Sequence, residues 1–144
     1  MKINGTASVP GARAEVYARL LDPAVLAECI PGCQQLVAAG DGVYEMKMKL
    51  ALAALSGDFT GKIAISDAHP PERYRLRVDG SGKLGFIKGE GELRLSEAEA
   101  ATAITYEGDV QAGGTLAAVG QRLLDTTAKM MIRRFFEKIG QKAG

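Results

Sequence analysis

The apolar residues change their spacing twice along the chain, and this restricts the fold more than any other feature. After a short opening strand from Lys2 to Val9, with Pro10 near a helix start, Val16, Leu20 and Leu21 recur at helical intervals between Ala12 and Leu21. Asp22-Pro23 closes that helix, and a second short one runs from Pro23 to Glu28 before Pro31-Gly32. Beyond Pro31 the period falls from 3.6 to 2. In Tyr44-Glu45-Met46-Lys47-Met48-Lys49-Leu50 the even positions are apolar and the odd ones charged, and Arg73 to Asp79 repeats the alternation. Thr102 to Val110 places Ile104 and Tyr106 on one face; Phe59, Ile63 and Ile65 share a face, as do Ile87, Leu93 and Leu95. One wet and one dry face per strand is the pattern of an antiparallel sheet.

The turns are read at Asp41-Gly42, His69-Pro70-Pro71-Glu72, Gly80-Ser81-Gly82 and Glu97-Ala98-Glu99. Glycines within the strands (Gly57, Gly61, Gly85, Gly89, Gly91) allow sharp bending, so the sheet is expected to curve strongly. From Thr115, a candidate N-cap, the period returns to 3.6 and predicts one amphipathic helix of about seven turns. Leu116, Val119, Leu123, Met130, Met131, Phe135 and Ile139 form its apolar side, and Arg122, Asp125, Lys129, Arg133 and Glu137 its polar stripe. The predicted class is α+β: a curved antiparallel sheet of about 6–7 strands wrapped around a long C-terminal helix, with two short helices after strand 1. At 144 residues the chain is expected to be a single domain spanning 1–144.

The same sequence narrows the chemistry. Apolar residues at 47% and charged ones at 24% are those of a globular chain, and a net charge of +1 lacks the basic footprint of a nucleic-acid binder. No apolar run reaches the 18 residues of a membrane span, and the N-terminus has no apolar signal segment, so a cytoplasmic location is expected. The one histidine, His69, sits in a turn before two prolines, where a solvated residue is expected rather than a general base. Cys29 and Cys33 lack further metal ligands, so no metal is expected; they read as two partly buried thiols around a Pro-Gly turn, with a redox role as the alternative. Gly80-Ser81-Gly82-Lys83-Leu84-Gly85 matches G-x-G-x-x-G, but it continues into strand rather than helix and so does not read as a dinucleotide site. Glu45, Asp79, Glu90, Glu92, Glu107 and Asp109 fall on wet faces and form no acid–base pair, while Glu28 and Tyr106 come nearest to interior polar groups.

Methionine moulds to irregular volumes, and Met46, Met48, Met130 and Met131 all fall on dry faces. Periodicity alone does not distinguish a solid core from a cavity wall, and both readings stand. Charge is also uneven: residues 1–115 carry 12 basic and 15 acidic groups, whereas residues 116–144 carry 6 and 2. The excess cations either complement the helix dipole or form a docking surface for an acidic partner or anionic lipid.

Three motifs, with their order along the chain, carry a resemblance: Cys29-Ile30-Pro31-Gly32-Cys33, the glycine series Gly80, Gly82, Gly85, Gly89 and Gly91 around Phe86, and Tyr106-Glu107-Gly108-Asp109-Val110. Gly113-Gly114 followed by Leu116-Ala117 and Val119-Gly120-Gln121-Arg122-Leu123-Leu124 extends it. On these residues the whole chain resembles the helix-grip fold of the SRPBCC (START/Bet v 1-like) superfamily and, within it, the family of the CoxG subunit of carbon monoxide dehydrogenase. The resemblance implies an elongated apolar cavity beneath the last helix and a small apolar ligand such as a lipophilic quinone. It further implies a molybdenum-containing hydroxylase as partner and recruitment to the inner face of the cytoplasmic membrane.

With that cavity in view, Met46, Met48, Phe59, Tyr74, Leu76, Tyr106, Met130, Met131 and Phe135 are expected to line it, and Leu84 and Phe86 to form a mobile lip. Arg122, Lys129 and Arg133 are the expected docking residues. Cofactors and catalytic residues are not expected. The alternative is an enzyme like the superfamily's polyketide aromatases and cyclases, with Tyr44, Tyr74 or Tyr106 supplying polar groups. Longer family members continue into a linker and membrane anchor, whereas this sequence ends at Gly144, so, if it is complete, reversible membrane contact or a purely soluble carrier is expected instead.

Overall fold

A computed structural model describes residues 1–52 and 55–142. Its elements, in order, are β1 (Lys2–Pro10), α1 (Arg13–Leu21), α2 (Pro23–Cys29), β2 (Cys33–Gly40), β3 (Val43–Leu52), β4 (Leu55–His69), β5 (Arg73–Gly82), β6 (Gly85–Ala98), β7 (Ala101–Gly113), a 3-10 turn (Gly114–Val119) and α3 (Gln121–Gln141). The strands form one antiparallel sheet in the order β1-β7-β6-β5-β4-β3-β2. Hairpins join β2 through β7 in sequence, and β1 crosses to the far edge to pair with β7. This is the predicted helix-grip architecture.

Asp22 explains the elbow between α1 and α2. Its backbone ends α1 by donating to the Arg19 carbonyl, and its carboxylate accepts from the Ala24 N–H at 2.9 Å, capping α2 ahead of Pro23. Arg19 ties three elements together: its guanidinium donates to the Pro10 carbonyl and to the Ile139 carbonyl near the end of α3. Two groups of buried side chains result. Val9, Val16, Leu20, Tyr74, Leu95, Ile104, Phe136 and Ile139 pack at the α1 end, and Leu26, Met46, Met48, Leu50, Phe59 and Leu116 at the other.

Several boundaries differ from the sequence reading. Pro10 ends β1, and α1 starts at Arg13. The predicted seven-turn helix is divided: Gly114–Val119 winds as a 3-10 turn, Gly120 takes a φ of 104°, and α3 begins at Gln121, so Thr115 does not cap it. Only glycine holds such a φ without strain, and the break falls there. Gly80, Ser81 and Gly82 remain paired within β5, leaving Lys83-Leu84 as the turn. Likewise Glu97 and Ala98 pair in β6, and Ala100, with a φ of 57°, forms the tip. β2 shows no clean alternation because it is an edge strand with most residues exposed. Residues 143–144, on which the expectation about an anchor bears, lie outside the described residues.

On the outer face the register places Arg75 opposite Glu92 and Arg77 opposite Glu90, with ion pairs of 3.4 and 3.6 Å; Arg94 also contacts Glu92. Glu90 is exposed, as its alternation predicts, whereas Glu92 is largely covered between Arg75 and Arg94.

Candidate ligand-binding cavity

Between α3 and the concave face of the sheet lies a cavity of about 790 Å3, within the range of about 300–1,000 Å3 usual for small-molecule sites. α3 contributes Leu124, Ala128, Met131, Ile132, Phe135 and Phe136, and the segment around α2 contributes Leu26, Ile30 and Pro31. From the sheet come Met46, Met48, Phe59, Ile63, Tyr74, Leu76, Val78, Ile87, Leu93 and Tyr106.

The space has a cause in the sequence. On β4, β5, β6 and β7 the inward positions include Gly61, Gly80, Gly89, Gly91 and Gly108, all of which border the cavity. Each replaces an inward side chain with bare backbone, and Gly91 and Gly108 stand opposite each other in the register. Glycine at these positions weakens the strands; at Gly80 and Gly89 a Cβ would meet nothing nearer than 3.5 Å, so there the concave face is left unfilled.

The cavity thus brings together Met46, Met48, Phe59, Tyr74, Leu76, Tyr106, Met131 and Phe135. Three expected residues are placed elsewhere. Met130 is half-buried outside the lining, because the inward stripe of α3 runs through Ala128, Met131, Ile132 and Phe135. Phe86 occupies the opposite parity to Ile87, so it faces outward, 42% exposed, against Gly113 and beneath Lys88. Leu84, 36% exposed, sits in the β5–β6 turn; the Leu116 N–H donates to its carbonyl at 2.8 Å, tying the expected mobile lip to the 3-10 turn. Leu124, Ala128, Ile132 and Phe136 line the cavity without having been expected there. The signal that finds them is the inward phase of α3 set by buried Phe136 and Ile139.

Polar groups near the cavity are few and mostly committed. Tyr17 and Tyr44 donate their phenol O–H to the Arg73 and Leu21 carbonyls at 3.2 and 2.6 Å. The Tyr17 and Tyr74 rings meet edge to face at 5.7 Å, and Tyr106 stacks on Phe136 at 5.7 Å. Burial raises the phenol pKa of Tyr17, Tyr44 and Tyr74; Asp22 adds to the effect at Tyr44, and the neighbouring phenols at Tyr74. Glu28, expected near the interior, is exposed and paired with Lys142. Among the docking residues, Arg122 and Arg133 are exposed, and Lys129 is held by Asp125 one turn away at 2.9 Å. Cys29 and Cys33 are both free thiols, and burial raises the pKa of each.

A family model described as the CoxG subunit of carbon monoxide dehydrogenase matches residues 5–144. Among solved structures, a conserved protein from Geobacillus kaustophilus superposes with a TM-score of 0.95 at 36% identity, covering 99% of this chain and 94% of that one. A START superfamily protein from Mycobacterium smegmatis gives 0.73 at 9% identity, covering 98% and 95%. The Zhui aromatase/cyclase from Streptomyces sp. R1128 gives 0.68 at 14%, covering 99% and 93%. The last two share the fold. Among curated proteins, none matches the sequence.

Proposed function

Because the chain belongs to the CoxG family of carbon monoxide dehydrogenase subunits, we propose that it is a non-catalytic adaptor that holds a lipophilic molecule, a quinone, in its cavity. In this reading it associates with a molybdenum-containing hydroxylase of the carbon monoxide dehydrogenase type and helps to recruit that enzyme to the inner face of the cytoplasmic membrane or to deliver its electrons. Family and fold support a role in binding a hydrophobic ligand.

The observation that carries the reading is the cavity itself: about 790 Å3 lined chiefly by aliphatic, methionine and aromatic side chains. Apolar surface moved there from water gains roughly 25 cal/mol per Å2 before ordering costs. The exposed Arg122 and Arg133 on the outer side of α3 offer the enzyme or anionic lipid a positive surface. Among the described residues no helix is long and apolar enough to cross a membrane, so the membrane contact proposed is peripheral and reversible.

Titration of the purified protein with a water-soluble short-chain quinone tests the proposal. Saturable one-to-one binding is expected; a linear, unsaturable response up to the solubility limit overturns it. A second reading, in which the same cavity cyclises a polyketide, rests on the fold shared with an aromatase/cyclase. It uses Tyr74 and Tyr106, phenols that line the cavity, and its test is product formation from a poly-β-keto substrate.

A further inference from the structure

Three phenols cluster at the α1 end of the cavity, and they differ in how they are used. Those of Tyr17 and Tyr44 donate to backbone carbonyls. Tyr74 is 4% exposed, and its hydroxyl makes no hydrogen bond with a described residue. Among the described residues Arg13 Nε is the one fully enclosed side-chain polar atom without a partner. Tyr74 lines the cavity, so this buried side chain with an unpartnered hydroxyl is part of its wall. Its ring packs edge to face against Tyr17 at 5.7 Å, and Tyr74 stands opposite Leu93 in the register.

We infer that the Tyr74 hydroxyl is the hydrogen-bond donor that orients the ligand, and that the ligand presents to it a neutral carbonyl oxygen on an apolar body. Burial keeps this phenol protonated well beyond neutral pH, so it donates. A hydrocarbon leaves the donor unsatisfied, and a buried donor without a partner is costly. An anionic head fares no better: among the described residues no Lys or Arg side chain lines the cavity, and the ammonium of Met1, which does line it, already donates to the Val110 carbonyl at 2.9 Å. A neutral carbonyl meets both conditions. This inference rests on the cavity being a binding site, as proposed above.

The test compares 2-methyl-1,4-naphthoquinone with 2-methylnaphthalene, which has the same ring skeleton without the carbonyls, on the wild-type protein and Tyr74→Phe. The wild type should bind the quinone more tightly than the hydrocarbon. Tyr74→Phe should lower quinone affinity about tenfold, the worth of one buried hydrogen bond, with hydrocarbon affinity unchanged. The infrared carbonyl stretch of the bound quinone should lie at lower frequency in the wild type than in the variant. Equal quinone affinity in the two proteins, or an equal loss for both probes, overturns the role of Tyr74 and leaves the cavity reading standing. Failure of the wild type to bind either probe overturns both.

Discussion

Gly91 of β6 and Gly108 of β7 stand opposite each other on the concave face, so close that a Cβ added to Gly91 would lie 2.5 Å from the Glu107 carbonyl oxygen, and one added to Gly108 2.5 Å from that of Glu90. Backbone supplies both obstacles, so neither can turn aside as a flexible side chain would. Gly91→Ala should therefore force the two strands apart and lower stability by about 1–3 kcal/mol, the usual cost of overpacking. Two strand positions away, a Cβ on Gly89 meets Val110 and Asp109 only at 3.5 and 3.6 Å. Gly89→Ala should change stability by no more than about 1 kcal/mol. Urea midpoints of the two variants, measured side by side, check the contrast.

Met131 projects from α3 into the cavity. Met131→Lys should weaken binding of a short-chain quinone about a hundredfold, roughly 2.7 kcal/mol, by placing an ammonium where the apolar ligand would sit. Isothermal titration reads the loss, and a cooperative thermal transition confirms that the variant is folded.

The raised phenol pKa values of Tyr17, Tyr44 and Tyr74 set the alkaline limit of stability. An unfolded tyrosine ionises near pH 10, whereas these hold their protons longer when folded. Their contribution is complete below about pH 10 and is lost as pH rises through the folded values, because the unfolded state releases protons first. Denaturant midpoints should stay level up to about pH 10 and then fall, with a shallower fall in Tyr74→Phe.

Burial raises both thiol pKa values, so alkylation should be slow at neutral pH. Cys33 is half-buried and Cys29 fully buried. Mass spectrometry after iodoacetamide treatment should show a single adduct, at Cys33, in the native protein and a second in denaturant.

Legibility in the sequence depends on whether each element has one wet face. β3 and β5 do, and Tyr44, Met46, Met48, Tyr74 and Leu76 lie on the inward side that their alternation assigns. β2 does not: with Val37 46% exposed at the sheet edge, its sequence carries no burial pattern to read. In α3 the phase is obscured by Thr127, a polar residue that is buried because its hydroxyl donates to the Leu123 carbonyl at 2.8 Å. Met130 and Met131 are adjacent and equally apolar, so composition does not separate the inward Met131 from Met130. Phe86 is misplaced because its neighbourhood is mostly glycine, which leaves few side chains to mark the parity. The cavity itself is invisible to hydrophobic periodicity, since a wall and a core show the same pattern. Glycines do border it at successive inward positions, Gly89 and Gly91 on β6 and Gly108 on β7, but of these only Gly89 has room for a Cβ. Glycine in a strand can thus mark either open space, as at Gly89, or the close approach of two backbones, as at Gly91 and Gly108.

The division of the buried side chains into two groups on either side of an unfilled volume makes heat resistance a gauge of occupancy. Any molecule that seats there only in the native state stabilises the fold by mass action, by about 2.7 kcal/mol at a concentration a hundredfold above its Kd, and so raises the melting point. A panel of oily compounds, scored simply by how far each delays melting, would let the protein select its own cargo.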